Sequence, residues 1–425
     1  MTPEGWRITR LGDLLDDIEA GWSPQCDGHP ADVNTWGVLK VSAVSSGTYI
    51  SDENKALPAS EKPRSELEVR NGDLLLVRAN GVLDLVGRTV LVRNTRRHLM
   101  LSDKVLRLKP KMAVADAGFL NAFLGFGPTR EALTNITGGS HMRNISQSAL
   151  RELVVTCPPL LEQKRIASIL LTMDDAIDTT RAVIDQLGVL KKALMAELLT
   201  RGIPGRHTKF KQTEIGEMPE GWQVTPLGNV AFVQTGVAKG KQTANGVEIP
   251  YLRVANVQDG HVDLSEVKTI AVAHDAVARY ALQLGDVLFT EGGDADKLGR
   301  GCVWMGQINP CLHQNHVFAV RMTTNRLLPA YLACWAASPK GRSYFMNSAK
   351  QTTNLASINS AQLKAFPVAI PPVSEQEEIV SALGSIESRM TIERACYSYS
   401  VSLRRGLMSV LLTGDLRVPP AEDPT

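Results

Sequence analysis

No apolar run in this chain approaches the roughly 20 residues needed to span a bilayer, so no membrane-crossing helix is expected. The opening MTPEGWRITRLGD has no apolar stretch behind its charges and does not read as a secretory signal. CxxC spacing is missing too. Cys26, Cys157, Cys302, Cys311, Cys334 and Cys396 stand apart, which fits reduced thiols in a cytoplasm. An excess of one charge is also lacking. The formal net charge is +2, so a surface for a polyanion would have to come from local clustering of basic residues rather than from bulk charge.

Catalytic signatures are equally scarce. The chain has no GxGxxG, no HExxH and no Asn-Pro-Pro-Tyr or Asp-Pro-Pro-Tyr run, the mark of amino-methyltransferases. Gly236 to Lys241 resembles a phosphate loop, but it has three residues between its glycines instead of four, and Gln242 follows. Cys311, His313 and His316 lack the fourth ligand and the paired spacings of a zinc site. Asp73 and Asp286, each after a glycine, fit turn formers better than catalytic carboxylates. Neither a catalytic site nor a metal site is expected.

What the chain does have is a second copy of itself. Residues 3–12 read PEGWRITRLG and residues 219–228 read PEGWQVTPLG. The correspondence continues at a separation near 213 residues: Leu39-Lys40-Val41 answers Leu252-Arg253-Val254, Gly47 answers Gly260, and Gly87-Arg88 answers Gly299-Arg300. Gly72-Asp73-Leu74-Leu75 answers Gly285-Asp286-Val287-Leu288, and Pro158-Pro159-Leu160-Leu161-Glu162-Gln163 answers Pro371-Pro372-Val373-Ser374-Glu375-Gln376. Leu198-Leu199-Thr200 answers Leu411-Leu412-Thr413. A period this long is a duplicated domain-plus-helix unit and not a solenoid.

Each copy changes texture once. Its first part has short β-branched runs broken by Gly, Asn and Asp, which predicts mixed α/β heads. After the Pro-Pro pair a heptad stripe begins: Ile166, Leu170, Met173, Ile177, Ile184, Leu187, Leu194 and Leu198, interrupted by Thr180 and Lys191. The second copy places Ile379, Leu383, Ile386, Met390, Tyr397, Leu407 and Leu411 correspondingly, with Glu393, Ser400 and Arg404 weakening its centre. One narrow apolar stripe needs a partner, and the sister helix is the nearest. The expected architecture is two target-binding heads separated by two long antiparallel coiled-coil helices, a ruler with pseudo-twofold symmetry. The expected boundaries are 1–158 for the first head, 159–201 for the central helix, 202–217 for a connector, 218–371 for the second head, 372–414 for the distal helix and 415–425 for a disordered tail.

Duplicated binding modules match in their framework and diverge where they meet different ligands. The divergent stretches are polar, and their residue types suit base edges: Arg or Lys for guanine, Asn or Gln for adenine, Asp or Glu for cytosine. On position and chemistry, the candidate contacts in the first copy are Lys40, Arg78, Asn80, Arg88, Lys104, His141, Arg143 and Asn144. Those in the second are Arg253, Asn256, Lys297, Arg300, His313, Gln314, Asn315, Lys350, Gln351, Thr353 and Asn354.

The PEGW…LG opening, the Pro-Pro-x-x-Glu-Gln step into a long helix and the closing Leu-Leu-Thr, all present twice, resemble the specificity subunits of Type I restriction–modification systems. The resemblance implies two target-recognition domains that read the halves of a split, asymmetric double-stranded DNA sequence. It also implies docking of two methyltransferase subunits, which would carry S-adenosylmethionine. A motor-nuclease subunit using ATP and Mg would join for cleavage. It assigns no catalytic residue and no cofactor to this chain. Two other readings remain open at this level: a targeting subunit of a Type II-like modification enzyme, and a two-headed scaffold for protein or glycan.

Overall fold

The computed structural model describes residues 2–139, 143–238, 246–293, 298–351 and 356–418. The chain divides into two compact units, residues 1–181 with 395–425, and residues 182–394. The division falls inside both long helices, Leu160–Arg201 and Val373–Leu411.

In the first unit a four-stranded antiparallel sheet runs in the order Leu15–Ala20, Val105–Pro110, Leu74–Val77, Thr89–Leu91. Its strand Leu74–Val77 is buried at every position. Strand alternation explains why: Leu74 and Leu76 enter one apolar cluster with Phe119 and Leu120, while Leu75 and Val77 enter another with Val90 and Val105. A three-stranded sheet, Asn54–Ala56, Gly37–Leu39, Leu99–Met100, stands beside it. Arg7–Arg10 pairs with Val154–Cys157 and ties the start of the head to its end.

The second unit repeats this plan. Its four-stranded sheet runs Ala231–Thr235, Val317–Met322, Val287–Thr290, Gly301–Val303. Its three-stranded sheet runs Lys268–Val272, Val247–Leu252, Leu312–His313, and Gln223–Pro226 pairs with Pro367–Ile370. A hairpin, Phe210–Thr213 with Gly216–Pro219, occupies the stretch between the first long helix and this head.

Two glycines hold equivalent places in the two units, Gly21 and Gly236, and both are required by close approach. A Cβ on Gly21 would lie 2.2 Å from the Leu101 carbonyl oxygen, and one on Gly236 would lie 1.9 Å from that of His313. In both places the next amide, Trp22 or Val237, donates to that same carbonyl. Gly236 is therefore a close-approach glycine of the scaffold, and residues 239–241 of the phosphate-loop-like run lie outside the described residues.

The repeated motifs meet in a clasp, formed once in each unit. In the first, Trp6 Nε1 donates to Glu162 Oε2 at 3.1 Å, and Arg417 forks onto both carboxylate oxygens at 2.8 and 2.9 Å. Burial works against the Glu162 charge, yet Arg417, the Val418 amide and Trp6 together hold its carboxyl below the usual range. In the second, Trp222 Nε1 donates to Glu375 Oε2 at 3.1 Å, while the Ile203 amide and His207 Nε2 reach Oε1 at 3.2 and 2.8 Å. The neighbouring glutamine is used identically. Gln163 donates to the carbonyls of Pro158 and Val114 and accepts from the Asp116 amide. Gln376 donates to those of Pro371 and Arg326 and accepts from the Leu328 amide. A left-handed glycine follows each long helix, Gly202 (φ 77°) directly after Arg201 and Gly414 (φ 79°) three residues after Leu411, and turns the chain back toward the clasp. Arg417 and Val418 thereby belong to the fold, which corrects the expectation of disorder from residue 415. Residues 419–425 lie outside the described residues.

Each head is completed by the end of the other copy's helix. Met408, Leu411 and Leu412 share the first unit's core with Leu11, Phe119, Ile166 and Leu170. Met195, Leu198 and Leu199 share the second unit's core with Trp222, Tyr331, Ile379 and Leu383. Within each unit the two helix segments are also bridged by an ion pair, Asp174 with Arg404 in the first and Lys191 with Glu387 in the second. The expected stripe residues Met173, Ile177, Ile184, Leu187, Leu194, Ile386, Tyr397 and Leu407 are half-buried, and Met390 is buried.

Candidate nucleic-acid interface

At the end of the central strand of each four-stranded sheet, the chain leaves the core and enters a small ribbon. In the first head Ala79–Asn80 pairs with Arg143–Asn144, Arg143 opposite Asn80 and Asn144 opposite Ala79. Gly138 bridges Asn144 from the other side. The ribbon is pinned by backbone bonds: the Arg78 amide donates to the Lys104 carbonyl at 2.8 Å, and the Ile145 amide to the Arg78 carbonyl at 3.0 Å. Arg78 Nε donates to Asn144 Oδ1 at 3.2 Å. Five candidates, Arg78, Asn80, Lys104, Arg143 and Asn144, are thus brought to one place.

The second head builds the same ribbon. Gly292–Gly293 pairs with Ala356–Ser357, which pairs with Lys350–Gln351. The pinning bonds recur: the Glu291 amide donates to the His316 carbonyl at 3.0 Å, and the Ile358 amide to the Glu291 carbonyl at 2.8 Å. These contacts make Glu291 the counterpart of Arg78 and His316 that of Lys104. The His316 imidazole contacts the Glu291 carboxylate. Neither residue was among the candidates. The 213-residue offset applied to Arg78 points to Glu291, and the 212-residue offset between Gly87 and Gly299, applied to Lys104, points to His316.

Gln314 and Asn315 lie half-buried beside this ribbon, their amides donating to the Leu252 and Val237 carbonyls. Arg88 lies apart, on a cleft of about 1140 Å³ in the first unit that Arg93, Arg181 and Arg405 also line. Arg300 donates to Gln258 Oε1 at 3.2 Å. Lys40 and Arg253 face acids at matching positions, Lys40 Nζ 3.6 Å from Glu53 and Arg253 Nη2 3.3 Å from Glu266. A pair kept in both copies is framework. His141, Lys297, Thr353 and Asn354 lie outside the described residues, as does the Gln351 side chain.

Two candidates are corrected by burial. Asn256 is 3% exposed, its oxygen accepting from the Arg253 amide and its nitrogen donating to the Asp263 and Glu266 carbonyls. His313 is 1% exposed, with Nδ1 2.7 Å from the Val317 carbonyl. Burial pushes its imidazole pKa down, so the ring is neutral. Neither can reach a base edge. Burial also pushes the Cys311 thiol up to about 12. Asp73 and Asp286 are turn residues that accept from the Arg70 and Gln283 amides and hold Arg107 and Arg321 from the adjoining strand. Among the described residues no group of three His, Cys, Asp or Glu could hold a metal, and no helix is long and apolar enough to cross a membrane.

Comparison with known proteins agrees with this duplicated plan. The Type I restriction modification DNA specificity domain matches residues 3–188 and again residues 219–397. The chain is 38% identical over 169 residues to the Type I restriction enzyme EcoEI specificity subunit of Escherichia coli, a match covering 39% of this chain and 28% of that protein. It is 25% identical over 355 residues to the EcoKI specificity subunit of E. coli strain K12, covering 81% of this chain and 73% of that one. In fold it resembles the Type-I restriction-modification system S subunit from M. genitalium, with a TM-score of 0.60 at 13% identity over 97% of this chain and 99% of that one. With the specificity domain matched over most of its length and in both copies, this chain belongs to the Type I restriction–modification specificity subunit family, and its role is DNA sequence specificity.

Proposed function

We propose that each head reads one half of a split, asymmetric double-stranded DNA target, and that the ribbons at Arg78 and Glu291 deliver the side chains that read it. One observation carries this reading. The two copies keep the same indole-to-carboxylate clasp bond and the same ribbon backbone bonds, yet the side chains at the matched ribbon positions differ in charge. A ligand-reading surface should vary on a constant support. Phosphate contacts would come from exposed Arg and Lys, Ser and Thr hydroxyls and loop amides.

On this reading the chain itself catalyses nothing. Two methyltransferase subunits, carrying S-adenosylmethionine, dock on the helices and domain flanks, and a motor-nuclease subunit joins when cleavage occurs, all in the cytoplasm. The near-balanced charge predicts weak DNA binding by this subunit alone, with affinity depending on phosphate contacts that its partners add.

The test is co-expression with the adjacent methyltransferase gene, followed by modified-base sequencing of the host DNA. Two short half-sites around a fixed gap are the expected result. Copurification without any methylated motif would overturn the DNA reading, and a methylated motif with no split would overturn the two-head reading.

A further inference from the structure

The structure assigns the two heads different base chemistry: the first recognises guanine through Arg78, and the second recognises a base by its exocyclic amino group through Glu291. This rests on the reading above. The backbone fixes the correspondence, because the pinning bonds that place Arg78 on Lys104 and Ile145 are those that place Glu291 on His316 and Ile358. The differences at these matched positions are large. Arg78, Lys104 and Arg143 are cations in the first ribbon, and their counterparts by register are Glu291, His316 and Ala356.

Arg78 is half-buried, with Nε held by Asn144 Oδ1. Its two terminal nitrogens make no hydrogen bond to any described residue. A guanidinium oriented through Nε presents a planar pair of donors, which matches the O6 and N7 acceptors of guanine. The same fork repels an amino edge. Glu291 offers the opposite. Its carboxylate can only accept, and His316 contacts one oxygen of a group with about four lone-pair sites. In the major groove the bases that donate are cytosine through N4 and adenine through N6. Guanine presents only acceptors there and would be refused. Gly292 and Gly293 follow Glu291 where Ala79 and Asn80 follow Arg78, so the two residues next to the carboxylate in this strand add no side chain of their own.

The experiment measures equilibrium binding of the subunit complexed with its methyltransferase partner to duplexes of the split target found by sequencing. Three duplexes are compared: the natural target, one with 7-deazaguanine replacing the guanines of one half, and one with a cytosine or adenine of the other half replaced by its analogue lacking the amino group. The wild type should lose on the order of tenfold with each analogue, since a good bidentate or acceptor contact discriminates by about that much. Arg78→Gln should bind the natural target more weakly and show no further loss with 7-deazaguanine, while keeping its sensitivity to the missing amino group. Glu291→Ala, which removes the acceptor altogether, should show the reverse, and the pyrimidine and purine analogues tell cytosine from adenine. Equal weakening of every duplex by Arg78→Gln would mean a phosphate contact and would overturn the assignment. A variant that does not copurify with the partner leaves the wild type to decide: sensitivity to both analogues in the same half, or to neither, also overturns it. Absence of any split motif in the wild type would instead mean that the DNA reading itself has failed.

Discussion

The clasps and the ribbons lie in the same two heads and were duplicated together, yet they have aged differently. At the clasp a carboxylate, an indole and a glutamine are retained, and only the outer partner has changed, from Arg417 to His207. At the ribbon the backbone bonds are shared and the side chains are not, a guanidinium in one head standing where the other has a carboxylate. The clasp residues are buried, with their polar atoms satisfied by groups elsewhere in the chain, so any change strands a partner. Among the described residues, the polar ribbon side chains are only half-buried or exposed, and the bonds the two ribbons share are those of the backbone. On the proposed reading, support and recognition are separated in the covalent chain, and that separation lets one head acquire a new target without refolding.

The comparison predicts a large asymmetry in stability. Glu375→Ala leaves the Trp222 indole, the Ile203 amide and His207 without their acceptor and should cost about 3 kcal/mol in the second unit, read by chemical denaturation. Glu291→Gln at the ribbon should stay within about 0.5 kcal/mol of wild type. Similar costs for the two would dissolve the distinction. Leu199→Ala comes next. The residue is fully buried, on the helix that follows the first head, yet it belongs to the second unit's core. A loss of about 2–5 kcal/mol is expected, and hydrogen exchange should rise among the strands of residues 287–322 and not among those of 74–110. Faster exchange in the first head would show that the helix end supports its own copy.

These helix ends show what the sequence conceals. The heptad stripe was legible because a period of 3.5 is a local property, and the duplication was legible because PEGW, Pro-Pro-x-x-Glu-Gln and Leu-Leu-Thr recur in order. That PEGW and Pro-Pro-x-x-Glu-Gln meet at Glu162 and Glu375 was not, since residues 156 and 153 positions apart meet only in the fold. At the candidate site, position and chemistry single out Arg78, Asn80, Lys104, Arg143 and Asn144, which the fold brings to one ribbon. They also proposed His313 and Asn256, because a polar residue in a loop-like stretch looks the same whether it faces solvent or caps a turn. Glu291 and His316 lie within the second copy's divergent polar stretches, residues 290–297 and 313–316, but sequence alone does not single them out, because neither resembles its counterpart.

His313 gives the comparison a pH dependence. Its structural counterpart in the first head is Leu101, since each accepts the amide following the close-approach glycine. Burial lowers the folded imidazole pKa below its ordinary value of 6.5. The unfolded chain therefore takes up a proton that the folded chain refuses. The stability this neutral ring permits is present above about pH 6.5 and is lost as pH falls below it, by up to about 1.4 kcal/mol per unit. Hydrogen exchange in residues 312–322 should accelerate between pH 7 and 5.5, corrected for intrinsic rates, while residues 99–110 change little. His313→Leu should abolish the difference. Equal acid sensitivity in both heads would assign it to other groups.

The smallest effect concerns the breaks in the heptad stripes. Lys191 interrupts the first stripe and Arg404 the second, and each finds an acid on the opposing helix within its own unit, Glu387 and Asp174. Lys191 and Glu387 are 35% and 43% exposed, so water screens the pair and replaces it easily when broken. Lys191→Ala should cost less than about 1 kcal/mol, with Glu387→Ala giving a similar value and the double variant little more than either alone. Lys191→Leu should match or exceed the wild type, because the position lies on the stripe and an apolar residue there adds burial. The polar breaks then serve to fix register between helices rather than to hold them together. A loss of more than about 2 kcal/mol with Lys191→Leu would instead place the ion pair among the contacts that sustain the fold, alongside the clasp.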